Sequence, residues 1–518
     1  MTSPPFSSDD LSTALRVLRA VAEDRTTLVD VEEPIRIELQ KLAGTIARPD
    51  LKARKKLQRA LLRKEVQAKK AADEAARQST GIRALRSQPV FVAPLLTPPE
   101  LDEAGNIGSM PAGEMAGAAF AEAGEGSRLH EARKCYVCKT SYDTLHHFYD
   151  QLCPACGELN YKKRFPKGDL RGQIALVTGA RVKIGFQAAL LLLRNGCRVV
   201  VTTRFPKDAA ARYAREPDFS DWQERLSVYG LDLRHTPSVE HFARHLRAEL
   251  PHLDHIIHNA CQTVRRPPGF YSHLLETESQ SFQQLESGMQ RVLAGHEALR
   301  STRPMVGLAA SAQLSQAQSD ADMLLPDQHQ SIATLFPEGA LDADLQQVDL
   351  RDHNSWRLTL EEVPTTELLE VFLVNAVAPF VLSARLKTLM QAKDADEERV
   401  ALRHIVNVSA MEGQFYRPYK TDKHPHTNMA KAALNMLTRT SAQDYIRDQI
   451  YMNAVDTGWV TDEDPNHLAQ RKIQEHAFSP PLDIVDGAAR IVDPIFAGLE
   501  AGAFPWGRFW KDYAVAPW

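Results

Sequence analysis

Cysteine is scarce in this 518-residue chain: there are six, and four of them sit in one short stretch. That density excludes a disulfide-stapled scaffold, which needs many cysteines in a small secreted domain. Long apolar runs are also missing. No uninterrupted stretch approaches the roughly 18 apolar residues of a membrane-spanning helix, so no membrane segment is expected. Nor is there an excess of one charge. The 62 Lys and Arg face 66 Asp and Glu, a formal net charge of −4, which carries no overall polyanion-binding signature. Met1 to Asp10 are polar and acidic, without the basic start and apolar core of a secretory leader. Together these absences lead to the expectation of a reduced, cytoplasmic protein. What is present is the balance of a globular chain, 43% hydrophobic and 25% charged, at a length that suggests two to four domains.

Residues 1–87 read as helical. Ser7 and Asp10 form a capping-box pattern ahead of Leu11, Leu15 and Leu18, which recur on one helical face. A second helix is expected from Pro34, with Ile35, Leu39, Leu42 and Ile46 as its stripe. Leu51 to Lys70 then carries nine Lys or Arg against the single Glu65. Nucleic acid could meet such a run, but no aromatic side chain interleaves it to stack a base. The favoured reading is a solvated helix packed on Leu57, Leu61 and Val66. Residues 88–130, with Pro89, Pro94, Pro98, Pro99 and Pro111 before a Gly- and Ala-rich run, read as a linker.

Residues 131–166 hold two CxxC pairs, Cys135 with Cys138 and Cys153 with Cys156, fourteen residues apart. Two such pairs close a thiolate tetrahedron, the spacing of a structural zinc site. The segment resembles a small zinc ribbon, and with four cysteine ligands the site is closed to substrate. His146 and His147 lie between the pairs and are not needed as ligands. The expected role is to fold a segment too small for its own core.

From about Gly172, short β-branched runs alternate with longer helical patterns, the rhythm of βαβ units. Ile174 to Val177 is a buried-strand type of run. It leads into Thr178-Gly179-Ala180-Arg181-Val182-Lys183-Ile184-Gly185 and then into a helical pattern. Strand, glycine turn and helix N-terminus together make a phosphate site. Leu231-Asp232-Leu233 and His258-Asn259-Ala260 end further strands. Asn375 lies in a helical run, and Asp456-Thr-Gly458-Trp-Val460-Thr461 forms a loop. In this order the elements resemble the short-chain dehydrogenase/reductase family over residues 168–518, apart from an insertion at about 265–355. The resemblance implies an α/β fold, a Rossmann-type doubly wound parallel sheet. It also implies a cofactor site built from Thr178, Gly179, Arg181, Lys183, Ile184, Gly185, Asp232, Leu233, Asn259, Ala260, Gly458, Val460 and Thr461. Lys183 stands where the family's middle glycine belongs. The second strand ends in Arg204 with no acidic residue at its tip. With Arg181 and Lys207 it points to the 2′-phosphate of NADP(H) rather than to NAD.

The resemblance further implies a catalytic set of which this chain keeps a part. Asn375 and Lys431 match, and Lys431 also serves the nicotinamide ribose. The tyrosine position is Thr427, which is too weak an acid to replace a phenol. The serine falls on Ala410, with Ser409 one position early and kept as the candidate. The segment between them is longer than the family's and brings Tyr416, Tyr419, His424 and His426, any of which could supply the missing acid. The expectation is an NADP(H)-dependent oxidoreductase on a small carbonyl or alcohol substrate, working with a non-standard proton donor. The alternative is an inactive NADP(H)-binding scaffold that engages a protein or nucleic acid through its ribbon and basic helices. The family's habit implies a homo-oligomer. The insertion is expected over or beside the substrate cleft.

Overall fold

A computed structural model of the chain describes residues 6–95, 127–302, 332–391, 402–416, 420–461, 463–476 and 479–518. The chain divides into two compact units, Met1–Ala72 and Asp73–Trp518. In the first, the helix Ser8–Glu23 starts at Ser7, whose side chain and that of Asp10 form the reciprocal capping box. A second helix, Glu33–Ala47, carries Pro34 in its first turn, and the helix Leu51–Gln78 begins here. Leu28 is buried, but Leu11, Leu15, Leu18, Ile35, Leu42, Ile46, Leu57, Leu61 and Val66 are all exposed. The basic helix therefore does not pack as expected. Leu57 and Val66 are nine residues apart, which at about 100° per residue puts them on opposite sides of the helix. No single stripe exists to bury.

The second unit is α/β. Ten strands are described: β1 (Arg128–Lys134), β2 (Ser141–Thr144), β3 (Ile174–Thr178), β4 (Arg198–Thr203), β5 (Leu226–Gly230), β6 (His255–His258), β7 (Arg403–Ser409), β8 (Ile450–Asp456), β9 (Phe509–Lys511) and β10 (Ala514–Ala516). β1 and β2 form an antiparallel ribbon. The others make an eight-stranded sheet in the order β10-β9-β8-β7-β6-β3-β4-β5, parallel except for the β9–β10 hairpin. Every residue of β3 is buried, as a central strand covered on both faces requires. On one face the helices Lys183–Arg194 and Ile484–Ala501 pack through Leu190, Leu192, Ile491 and Ile495. On the other, Thr236–Glu249 and Ala378–Met390 pack through Phe242, Leu246, Leu382 and Leu386. β3 pairs with β4 on one side and β6 on the other. The chain order reverses there, so the loops after β3 and β6 part and leave a crevice.

Sequence runs alone gave no membrane-length segment, whereas the continuous helical stretch Thr365–Met390 is long and apolar enough to cross a membrane. More than half of its apolar window is buried within the fold. It is interrupted by a π-helical turn, Leu373–Val377.

The cysteine segment departs from a simple ribbon. Its first pair lies in the β1–β2 turn, but the second starts the helix Pro154–Lys163, with Cys153 as N-cap. Gly157 sits in that first turn because a Cβ there would lie 2.5 Å from the His146 ring. The strand β1 begins at Arg128, inside the stretch read as linker. Residues 96–126 of that stretch lie outside the described residues. The module is joined to the sheet by buried charge. Arg164 contacts Asp483 at 2.7 Å and Asp486 at 2.9 Å, and Tyr149 donates to Asp486 at 2.5 Å. Arg490 reaches Asn160 at 2.6 Å. Arg164 is only 2% exposed and Asp486 fully buried. Removing one member therefore strands an unpaired charge. Arg164→Ala is expected to lower unfolding stability by about 3–5 kcal/mol, seen as a fall in urea midpoint. A loss below about 1 kcal/mol would show that the network is not what joins module to sheet.

Candidate active site

The loops at the carboxyl ends of the strands enclose a cleft of about 1130 Å³. Its floor is the turn after β3. Gly179 has φ +67°, and a Cβ there would lie 2.7 Å from the Ala260 Cα. At Gly185 a Cβ would meet the Asn259 Nδ2 at 2.2 Å and the Gly179 carbonyl at 2.5 Å. Both positions admit only glycine. Asn259 donates to the carbonyls of Thr178 (3.1 Å) and Gly179 (3.0 Å), while the Ala260 N–H donates to the Thr178 hydroxyl (3.1 Å). The turn is thereby locked to the end of β6. Gly179, Arg181, Lys183, Ile184, Gly185, Asn259 and Ala260 line the cleft; Thr178 lies buried behind it. Lys183, at the place of the missing glycine, takes φ +55°, a left-handed conformation that a side chain strains.

At the tip of β4, Arg204 lies over the Tyr271 ring at 4.7 Å and donates to its hydroxyl at 2.5 Å. Arg181 is buried against Asp208 (2.6 Å) and Gln346 (3.3 Å). Both line the cleft. Lys207 does not join them: its ammonium donates to the carbonyls of Glu278 (2.7 Å) and Gln280. The basic group here is two arginines, not three residues. Tyr271 and Gln346 belong to the insertion, so it closes the β4 end of the cleft rather than overlying only the substrate end. Residues 303–331 of it lie outside the described residues. Asp232 and Leu233 border the cleft. Burial works to raise the Asp232 carboxyl, but the hydrogen bonds and charge of Arg234, 2.7 Å away, hold it below the ordinary range.

The matched catalytic residues do not all converge. Asn375 occupies the π-helical turn, fully buried; its Oδ1 accepts from the Gln262 N–H (2.8 Å) and its Nδ2 donates to the Gln262 carbonyl (3.1 Å). It shapes the wall after β6 rather than lining the cleft, where its neighbour Val374 stands. Ser409 ends β7 on the cleft wall and donates to Asn435 Oδ1 at 2.5 Å. Lys431 also lines the wall, its ammonium donating to the Val408 carbonyl at 2.7 Å. Thr427, one helical turn before Lys431, is buried with a hydroxyl that has no partner, and does not border the cleft. Tyr416 is 81% exposed and points away. Tyr419 lies outside the described residues. His424 stacks flat on Trp356 at 3.8 Å, and burial pushes its ring down to about 4, so it is neutral near pH 7 and no acid. His426 is buried 3.5 Å from Glu367, also away from the cleft. None of these described residues takes the vacant phenol's place.

Gly458 (φ +75°) turns the loop after β8, and its N–H donates to Asp456 Oδ1 at 3.0 Å. Burial pushes the Asp456 carboxyl up, opposed by Lys511 at 3.3 Å. Gly458, Val460 and Thr461 line the cleft. So do Tyr136 and Lys139, from the cysteine module, and Lys511, which sequence reasoning passed over. The Tyr136 hydroxyl accepts from the Trp459 N–H at 3.0 Å. Its only sequence signal was an aromatic residue between two metal-type cysteines. The four sulfurs of Cys135, Cys138, Cys153 and Cys156 lie within 4.8 Å of one another, a donor set and spacing that fit one thiophilic ion.

Two family models match the chain: short chain dehydrogenase over residues 173–287, and enoyl-(acyl carrier protein) reductase over residues 346–480. An uncharacterized protein of Acanthamoeba polyphaga mimivirus is 29% identical over 394 residues, 74% of each chain. Human dehydrogenase/reductase SDR family member 13 is 38% identical over 109 residues, 21% of this chain and 26% of that protein. Mouse retinol dehydrogenase 11 is 35% identical over 109 residues, 20% of this chain and 34% of its own length. These last two are thus matched over about a third of their length at most. Among solved structures, NADPH-bound carbonyl reductase from chicken fatty liver superposes with a TM-score of 0.41 at 18% identity, covering 68% of this chain and 96% of that one.

The strain at Lys183 gives a direct test. Lys183→Gly is expected to stabilise the protein by about 1 kcal/mol, since relief of the left-handed backbone exceeds the entropy that glycine adds to the unfolded chain. A higher melting temperature would bear this out. A lower one would mean that the Lys183 side chain contributes more than its backbone conformation costs.

Proposed function

This chain carries a domain of the short-chain dehydrogenase/reductase superfamily, and from that premise we propose that it is an NADP(H)-dependent oxidoreductase acting on a carbonyl or alcohol substrate. The observation that carries the reading is the glycine turn. Gly179 and Gly185 leave a bare backbone at the amino end of the helix Lys183–Arg194, where N–H groups and the helix dipole favour a pyrophosphate. Arg204 supports the choice of cofactor: its guanidinium, over Tyr271 at the β4 tip, suits a 2′-phosphate, and β4 ends without the acidic residue that a free 2′-hydroxyl would favour. When bound, the dinucleotide supplies or accepts the hydride.

The residues on the wall divide the remaining work. Ser409 gives its one O–H to Asn435 Oδ1, which leaves the lone pairs of its oxygen on the cleft wall to accept from a substrate hydroxyl. The Lys431 ammonium gives one of its three N–H groups to the Val408 carbonyl and keeps two for the ribose and for proton delivery. In this reading Lys431, not Thr427, is the source of the proton. The buried, partnerless hydroxyl of Thr427 off the cleft equally favours a second reading, in which the site binds NADP(H) without turnover. We further propose that the four cysteines hold Zn²⁺ as a closed site that supports the fold.

Calorimetric titration with NADPH and NADH tests the cofactor. Tight binding of NADPH over NADH is expected, and Arg204→Asp should weaken NADPH by roughly tenfold, about 1.4 kcal/mol, while sparing NADH. Equal losses for both would remove Arg204 from the 2′-phosphate. For the chemistry, Lys431→Ala is expected to abolish carbonyl reduction in a substrate screen. Turnover absent from the unaltered protein in the presence of tightly bound NADPH would select the silent reading.

A further inference from the structure

The four-cysteine cluster and the cleft share one residue. Tyr136 stands between Cys135 and Cys138 in the β1–β2 turn, yet its ring reaches the loop that follows β8. Its hydroxyl takes the Trp459 N–H at 3.0 Å, while the Trp459 carbonyl accepts from the Leu482 N–H at 3.3 Å. The backbone of Trp459 is therefore held at both its N–H and its carbonyl. A Cβ placed on Gly458 would come within 3.4 Å of the same hydroxyl, so the contact is close along the loop. The ring also packs beside a buried group that includes Val460, Leu482, Ile484 and Val485.

The two cysteine pairs are anchored very differently. The second pair opens the helix Pro154–Lys163, which is fixed to the helix Ile484–Ala501 by Arg490 on Asn160 and by Lys163 on Asp493 at 2.6 Å. Arg164, just beyond, adds its contacts to Asp483 and Asp486. The first pair lies in a turn where Cys138 and Lys139 are exposed. That turn is held at its start by buried Cys135 and by backbone bonds from Cys135 to Thr140 and from Tyr136 to Gln151, each 2.9 Å, and from Lys139 to Cys135 at 3.1 Å, while its tip is in solvent. An ion on all four sulfurs would tie the exposed tip of the turn at Cys138 to the helix that Cys153 caps. Tyr136 would follow, because it sits one residue from a ligand.

We propose that Zn²⁺ at Cys135, Cys138, Cys153 and Cys156 sets the affinity of the cleft for the dinucleotide, with Tyr136 as the positioning residue that transmits it to the loop Asp456–Thr461. This rests on the cofactor and zinc readings above. Bound metal fixes the turn, the turn fixes Tyr136, and Tyr136 fixes the peptide at Trp459 on the cleft wall. Coupling between two ligands is reciprocal, so dinucleotide binding also tightens the hold on zinc. The site is then more than a support for its own segment.

The experiment uses the full chain as purified, with zinc measured by elemental analysis, and compares it with chelator-treated and zinc-reconstituted protein. NADPH affinity is read by calorimetry, and protection of residues 456–461 by hydrogen–deuterium exchange. The expected result is a loss of NADPH affinity of roughly tenfold on removing zinc, restored by adding it back, together with faster exchange in that loop. Tyr136→Ala should retain zinc, show the same loss with metal present, and lose no more when it is removed. Tyr136→Phe, which keeps the ring and lacks the hydroxyl, should fall between. Unchanged loop exchange after zinc removal overturns the proposal, as does a Tyr136→Ala protein that still responds to zinc. Absence of zinc from the purified chain overturns it together with the metal reading. If NADPH fails to bind the zinc-loaded protein, the cofactor reading and the proposed control of affinity both fall, and the exchange arm shows separately whether zinc still orders the loop.

Discussion

The rest of the site depends on one crowded contact, where the turn after β3 touches the end of β6. Asn259 spans it with two hydrogen bonds to the carbonyls of Thr178 and Gly179, and the Thr178 hydroxyl accepts a third from the Ala260 N–H. Each bond contributes on the order of 1 kcal/mol, but the larger effect is exclusion. With Cβ positions at Gly179 and Gly185 falling 2.2–2.7 Å from neighbouring atoms, no side chain fits, and the backbone N–H groups remain open to a ligand. The parallel sheet supplies the crevice by reversing its order at β3. The latch makes that crevice a place where a phosphate can come close to peptide.

Against this constraint the chain takes one liberty. Lys183 adopts the left-handed conformation at the start of the helix Lys183–Arg194, so the backbone path is kept although the residue suited to it is absent. The path is thus imposed by the surroundings, by Gly179 and Gly185 on either side and by the Asn259 latch. The residue type at 183 is left free to bring a charge to the cleft. A similar economy holds at the β4 tip. The insertion places Tyr271 under Arg204 and Gln346 beside Arg181. Segments far apart in sequence finish the site that the strand ends begin.

What the sequence made legible was local. Strand, glycine turn and helix were readable around Ile174–Arg194 because buried β-branched runs and a glycine spacing are short-range signals. The capping box at Ser7 was readable for the same reason. The failures concern direction in three dimensions. Nothing in the spacing of Leu57, Leu61 and Val66 required a partner face to exist, and none is present among the described residues. Tyr416 and His424 were close in sequence to Lys431, but proximity along a loop does not aim a side chain. One is in solvent, and the other lies flat against Trp356 and is uncharged near neutral pH. Asn375 falls within a helical stretch, as the resemblance implied, but the π-helical turn that presents it to Gln262 instead of the cleft has no pattern of its own.

Tyr136 is the instructive case, because nothing in its sequence context singles it out. Between two metal-type cysteines an aromatic residue reads as local filling for a small core. Its position becomes informative only after the helix Ile484–Ala501 is seen to carry both the acids that anchor the cysteine module and the start of the wall behind the loop Asp456–Thr461. Asp486 receives Arg164 and Tyr149 from the module; a side chain at Gly487, next in the same helix, would meet Ile184 and Val460 of the cleft at 3.0 and 3.2 Å. One helix turn thus touches both the four-cysteine module and the wall of the cleft. A displacement at either side is felt at that turn, since packed interiors shift as units rather than yield gradually. The cysteine module and the cleft wall share a buried core.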